Sequence, residues 1–429
     1  MTTAVVSTSL VLGIIGAMTA WAAVMPKHGG LDKLSMWYLG FSLTGSELAA
    51  FLATGGVVLG VAAWALGAGE HAVGQVALWL HALAVAGLVL AIWRSRTAFE
   101  VLDRGLRGVL GDDYEQRIAP DRQALMRRCL RPTQWWKPFG YHLPDVQWHR
   151  HIDYVAGPHE PHKQQRLDVL VGRDAPPGPR PVLLNIHGGG WKIGDKGTQA
   201  MPLLMHMASC GWLVVDADYR LSPGARMPDH IVDVKRAIAW TREHAAEYGG
   251  DPDFIVITGG SAGGHLVALA ALTAHQKQWQ PGFEQVDTTV QVAVPYYGKY
   301  DMLEQAGPDP TFAKYLAEGV MPGPRDQHAA LWQAMDPATQ AADPNAPRRP
   351  PFLVVHGQYD VLIPLAEARW FVQRLRDTSS DTELIYVEMP FAQHGFDVPH
   401  SLRAQLTVEA MQRYLEFQYS RWRAARGRA

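Results

Sequence analysis

The run Phe254-Ile-Val-Ile-Thr-Gly-Gly-Ser-Ala-Gly-Gly-His-Leu-Val-Ala-Leu-Ala-Ala-Leu-Thr273 decides the fold. Its first five residues, Phe254–Thr258, are apolar or β-branched and read as a buried strand. Its last ten, Gly264–Thr273, read as an apolar helix. Between them, Gly259-Gly-Ser-Ala-Gly263 has the G-x-S-x-G form of a tight strand-to-helix turn, which holds a serine in a strained conformation with its hydroxyl exposed. Glycines on either side let strand and helix approach closely. Alone the pentapeptide is weak evidence, because a chain with 41 glycines can produce one by accident.

Working outward, short β-branched runs alternate with helical stretches. Strands are expected at Gln165–Val171, Val182–Ile186, Leu213–Ala217, Val290–Pro295, Phe352–His356 and Glu383–Glu388. The alternation predicts an α/β fold with a mostly parallel sheet flanked by helices. The clearest helix is Asp229–Glu247, with Asp229 as N-cap and Ile231, Val234, Ile238 and Ala245 turned to the sheet.

Chemistry-bearing residues fall at the strand ends. His187-Gly-Gly-Gly190 closes the strand Val182–Ile186, where glycine N–H groups, with the N–H of Ala262, form an oxyanion hole beside the serine. A phosphate cradle is the rival reading, but neither the Lys-Ser/Thr of a P-loop nor a G-x-G-x-x-G at the first strand is present. Asp360 follows the strand Phe352–His356, and His394 lies in the loop after Glu383–Glu388. The order Ser…Asp…His is that of α/β-hydrolases. The expected roles are Ser261 as nucleophile, His394 as base and Asp360 as orienting acid. Asp301 and His400 are the competing acid and base, each less well placed at a strand end.

These motifs resemble those of the hormone-sensitive-lipase-like carboxylesterases. The family's HGGG, Y-R-L-x-P, G-x-S-A-G-G, H-G-x-x-D and H-G-F appear as His187–Gly190, Tyr219–Pro223, Gly259–Gly264, His356–Asp360 and His394–Phe396, within about Asp153 to Leu415. The resemblance implies the α/β-hydrolase fold, a catalytic triad of Ser261, Asp360 and His394, and Gly189, Gly190 and Ala262 as oxyanion donors. One departure stands out: many members carry Asp before the nucleophile, and this chain has Gly260. The stretch Ala245-Ala-Glu-Tyr-Gly-Gly-Asp-Pro252 is also similar to prenylcysteine methylesterases, and the architecture as a whole resembles membrane-anchored actinobacterial lipases and esterases.

The membrane reading comes from the N-terminal third. Three apolar runs, Ala4–Met25, Leu48–Leu66 and Val73–Trp93, contain no interior Asp, Glu, Lys or Arg. Each is long enough to cross a hydrocarbon core of ~30 Å, and Trp21, Trp64 and Trp93 lie near run ends. A cleaved signal peptide has a basic n-region, which Met1 to Ser9 lacks. Lys27 and Lys33 follow the first run and Arg94, Arg96, Arg104 and Arg107 the third, so the positive-inside rule predicts an outside N-terminus and a cytoplasmic catalytic domain. Gly56 and Gly60 form a small-xxx-small pair suited to helix contact. His81, inside the third run, is expected as a neutral imidazole hydrogen-bonded to a neighbouring helix.

The expected division is residues 1–96 as a three-helix transmembrane anchor, 97–150 as an amphipathic and aromatic linker or cap, and 151–429 as the catalytic domain. Ala98, Val101, Leu102, Leu106, Val109 and Leu110 predict an amphipathic helix near the membrane surface. The stretch from Pro132 to Tyr141 reads either as an interfacial aromatic patch or cap, or as core aromatics packing the linker down. His142, His149, His151, His159 and His162 lie in a prolyl, loop-like stretch without the fixed spacing of metal ligands. The remainder of the cap is expected between Tyr300 and Ala346.

A net charge of -2 gives no general attraction to nucleic acid, and two cysteines exclude a disulfide framework. No metal or organic cofactor is implied. The expected partners are a small-molecule or lipid ester and the bilayer. The expected function is hydrolysis of carboxylic esters of short or medium acyl chains through an acyl-enzyme, with amide or methyl-ester hydrolysis as the alternative, since this fold serves both.

Overall fold

The computed structural model describes residues 2–25, 31–155, 163–174, 178–344, 346–378 and 381–427. Lys27, His159 and His162 lie outside the described residues.

The catalytic part is built on an eight-stranded sheet: β1 (Val146–Asp153), β2 (Arg166–Gly172), β3 (Arg180–Ile186), β4 (Leu213–Ala217), β5 (Gly250–Gly260), β6 (Val292–Tyr296), β7 (Phe352–Gly357) and β8 (Leu384–Met389). Spatial order is β1-β2-β4-β3-β5-β6-β7-β8. Only β2 runs against the others. The central strands are apolar on both faces, β4 being buried at every residue, because helices cover both sides. All seven expected strands are present, most with ends shifted by a residue or two. β1 was not foreseen. Its sequence, Val-Gln-Trp-His-Arg-His-Ile-Asp, carries only three apolar residues, at alternate positions interrupted by Arg150, because it is a half-exposed edge.

Numbering only the longer helices, the N-terminal third holds α1 (Thr2–Val24), α2 (Lys33–Glu47), α3 (Ala49–Ala65) and α4 (Ala72–Ser95), followed by α5 (Ala98–Leu110). The helices around the sheet are α6 (Met201–Ser209), α7 (Asp229–His244), α8 (Ala262–Leu272), α9 (Pro310–Gly319), α10 (Leu365–Thr378) and α11 (Leu402–Ala425). In α7 the expected inner face is buried, but the N-cap position belongs to Pro228. Asp229 is the first helical residue, 3.4 Å from Arg220 Nη2.

Two helices, α1 and the continuous α4–α5 rod, are long and apolar enough to cross a membrane. The second expected span is divided differently. α3 is 17 residues long and meets α2 at an 86° bend, so the pair counts as a third span only if taken as one broken element. α1 and α4 pack in parallel: Ser9 Oγ is 3.3 Å from His81 Nε2, Gly16 faces Ala84, Gly87 faces Ala20, and Arg94 Nη1 donates to Val24 O at 2.7 Å. α3 runs back against α4, with Gly60 facing His81 and Gly56 facing Val85. The expected glycine pair and the imidazole partner of His81 are both at these contacts. Lipid-sized side chains such as Trp64, Trp79 and Leu83 are left exposed.

Helix α5 is amphipathic, but its apolar stripe faces protein. Ala98, Leu102, Leu106 and Leu110 are buried in one cluster with Ile385 and Val387 of β8 and Tyr414 of α11. The 97–150 segment is tied down further by a buried two-point ion pair, Arg122 Nε and Nη2 to Glu416 at 2.8 and 2.9 Å. In the aromatic stretch, Trp135 Nε1 donates to Gln405 and Tyr141 Oη to Val398 O, while Trp136 and Phe139 stay exposed.

Candidate active site

Strand β5 ends at the candidate nucleophile, Ser261. At its end Ser261 adopts φ 59°, ψ −121°, a left-handed conformation unfavourable for a non-glycine residue. The turn is possible because Gly263 sits where a Cβ would fall 2.1 Å from Ile186 O. Ser261 N donates to Tyr296 O at 3.0 Å, and Ser261 O accepts from His265 N at 2.9 Å. The absence of Asp at position 260 has a steric reason. A Cβ on Gly260 would lie 2.7 Å from the Tyr297 hydroxyl and 2.8 Å from its ring, so Tyr297 fills the space.

Asp360 and His394 are brought into contact. His394 Nδ1 lies 2.8 Å from Asp360 Oδ2, and Asp360 Oδ1 accepts from Leu362 N and Ile363 N, each at 2.9 Å. Burial pushes the Asp360 carboxyl up. The charge and hydrogen bond of His394, with His356 and the Ile363 N–H, outweigh burial and hold it below its ordinary value. The competing residues are elsewhere engaged. Asp301 Oδ2 accepts from Ala306 N, while the His400 ring packs against Tyr141 and its backbone N–H donates to Pro138 O.

The glycines of His187–Gly190 leave β3 toward the serine. Gly188 N is taken by Gln199 Oε1 at 2.8 Å. Among the described residues, the N–H groups of Gly189, Gly190 and Ala262 have no acceptor. Gly189 has φ 113°, and a Cβ there would meet Ile193 O at 2.0 Å. His187 supports this loop from behind. It stacks on Tyr219 at 4.5 Å, its Nδ1 lies 2.7 Å from Gly188 O, and burial lowers its pKa to about 4. Asp218 and Asp216 anchor the loop's far side by accepting from Lys196 N and Gly197 N, each at 2.6 Å.

Ser261, His394, Gly189, Gly190 and Ala262 all border one cavity of about 670 Å³, the size of a small-molecule site. Sequence reasoning missed three supports. Gln393 Oε1 accepts from Val361 N and His394 N at 2.8 and 3.0 Å, joining the acid and base loops. Tyr297 packs 4.6 Å from the His394 ring and donates to Asp397. Helix α2 contributes Met36, Leu39 and Leu43 to the cavity wall. Gln393 sits beside His394 in sequence, a usable signal; nothing in the sequence marks α2 as part of the site. From the expected cap segment, Phe312 and Tyr315 reach the cavity, and Tyr315 Oη donates to Gly190 O at 2.7 Å. Of the histidines in the loop-like stretch, His149 packs on Tyr248 and His151 Nδ1 lies 3.1 Å from Lys196 Nζ.

Comparison with known proteins points to esterases. Residues 167–375 match the BD-FAE family model. A probable carboxylic ester hydrolase of Mycobacterium tuberculosis, LipM, is 47% identical over 245 residues, covering 57% of this chain and 56% of the relative. Esterase LipQ of the same organism is 37% identical over 350 residues, 78% of each chain. The match to LipM thus spans little more than half its length, whereas that to LipQ reaches well into the N-terminal third. Among solved structures, esterase B of Lactobacillus rhamnosis has the same fold, with TM-score 0.57 at 18% identity, covering 77% of this chain and 99% of that one.

Proposed function

Because the chain belongs to the hormone-sensitive-lipase-like carboxylesterases, we propose that it is a membrane-anchored serine carboxylesterase or lipase working through an acyl-enzyme. Ser261 attacks the ester carbonyl while His394 takes its proton. The N–H groups of Gly189, Gly190 and Ala262 stabilise the oxyanion, each donor contributing about 3–4 kcal/mol. His394 then protonates the departing alcohol and activates water for deacylation, and Asp360 stabilises the imidazolium. The observation that carries this reading is the 2.8 Å Asp360–His394 contact on the same cavity as a serine in a left-handed turn.

The anchor is read as three crossings with a cytoplasmic catalytic domain. Two parallel spans, α1 and α4, need a return crossing between them, and α3 runs in that direction. Lys33, Arg94, Arg96, Arg104 and Arg107 then lie on one side. This division into anchor, linker and hydrolase keeps the 97–150 segment as the piece that packs the hydrolase onto the anchor. Protease digestion of sealed right-side-out cells is expected to spare the C-terminal domain; its removal would reverse the orientation.

Matched ester and amide substrates test the reaction class. Faster turnover of the carboxylic ester is expected, and preference for the amide would transfer the reading to amide hydrolysis.

A further inference from the structure

Helix α2 joins two apolar helices yet does not behave as a span. It begins with Asp32, whose carboxylate caps Leu34 N and Ser35 N at 3.0 Å. It ends at the 86° bend into α3, so it lies across the direction in which α3 runs. Helical spacing divides its surface. Ser35, Tyr38, Ser42 and Ser46 form a buried polar stripe. Tyr38 Oη donates to Ala22 O, and Ser42 Oγ accepts from Gln393 Nε2 at 3.3 Å, one residue from His394. At the helix end Glu47 is buried with Arg403, Oε1 to Nε 2.9 Å, and accepts from Ser401 Oγ at 2.7 Å. These contacts fix α2 to the hydrolase. A second stripe, Met36, Leu39 and Leu43, lines the cavity that holds Ser261. Outside the cavity, Leu34 and Trp37 are 68% and 70% exposed, and Ile193, which borders the same cavity beyond the oxyanion glycines, is 70% exposed.

We propose that α2 lies in the membrane surface as the acyl-selecting wall of the site, with Met36, Leu39 and Leu43 carrying the alkyl chain of a bilayer-dissolved ester to Ser261. The inference rests on the serine-esterase reading above. An apolar lining continuous with exposed Met36 and Ile193 gives a long chain a route from lipid without crossing water, where each methylene of exposure is unfavourable. A helix bearing an exposed Trp and Leu beside membrane spans fits the interfacial plane. The substrate class is therefore a long-chain acyl ester drawn from the membrane.

The test uses the full-length protein in phosphatidylcholine nanodiscs, with rates normalised to the fraction of sites labelled by a short alkyl phosphonate, so that misfolded protein does not count. The readout is the ratio of kcat/KM on p-nitrophenyl palmitate to that on p-nitrophenyl butyrate. Leu39→Trp and Leu43→Trp, which narrow the wall, are each expected to lower this ratio about ten-fold or more. A ratio unchanged in both variants, with wild type active, would overturn the role of α2 and leave the esterase reading intact. A wild type that neither labels nor hydrolyses either ester would overturn both.

Discussion

At the residue scale, the choice of Asp360 over Asp301 carries a kinetic consequence. Asp360 Oδ2 lies 2.8 Å from His394 Nδ1, where the proposed triad needs the orienting acid, whereas Asp301 accepts from the backbone of Ala306. Asp360→Asn keeps the shape but donates where it should accept, so kcat on a soluble ester is expected to fall ~10³–10⁴-fold. Asp301→Asn is expected to stay within about ten-fold of wild type. Stopped assays on both proteins decide this, and the reverse ranking would exchange their roles. Ser261, Asp360, His394 and the glycine loop were legible in the sequence because each follows a strand whose apolar run is unmistakable. Tyr297 and Asp397 were not, because their importance arises from contacts between loops that only the folded sheet brings together.

Among elements, the informative ones are those whose pattern pointed outward and whose surroundings proved to be protein. The amphipathic α5 has the spacing of an interfacial helix, yet its apolar stripe covers β8 and α11. Periodicity reveals that a face is apolar and does not say what covers it. Strand β1 was invisible for the complementary reason: an edge strand with one covered side carries too few apolar residues to announce itself. The Arg122–Glu416 pair measures how firmly this N-terminal extension is joined to the hydrolase. Both charges are buried, and Glu416 also accepts from Trp212 Nε1 at 2.8 Å. Arg122→Ala leaves that carboxylate uncompensated, an effect of about 3–5 kcal/mol. Thermal unfolding of the purified variant is expected to show a marked drop in Tm; a wild-type Tm would mean that water replaces the guanidinium.

For the whole molecule, stability is coupled to pH through histidines buried without charge. Burial lowers His187, His206 and His265 to about 4 and His230 to about 3. An unfolded chain takes up protons at these sites below pH ~6.5, whereas the folded one does so only near or below 4. Their contribution is therefore complete above pH ~6.5 and lost as pH falls toward 4, on the order of 3 kcal/mol for each histidine. The buried carboxyls of Asp216, Asp218 and Glu367, pushed up to about 7, act in the opposite sense, so substitution isolates the histidine contribution. His206→Gln, whose ring otherwise meets Gln412 at 3.1 Å, is expected to raise Tm relative to wild type more at pH ~4.5 than at pH ~7. The same Tm difference at both pH values would show that this ring is not held neutral. The apolar runs of the N-terminal third were legible, but the 86° bend was not, since Leu48 looks like any other residue of an apolar run. Beyond that bend, α2 packs against the catalytic part through Gln393, Ser401 and Arg403.

The most direct measurement is covalent labelling by a serine-reactive phosphonate, followed by p-nitrophenyl ester hydrolysis, on wild type and Ser261→Ala in detergent. One label on Ser261 is expected in wild type and none in the variant, with an ester rate that collapses alongside. Labelling at another serine, or equal hydrolysis by both proteins, would contradict the assignment of Ser261 as the nucleophile.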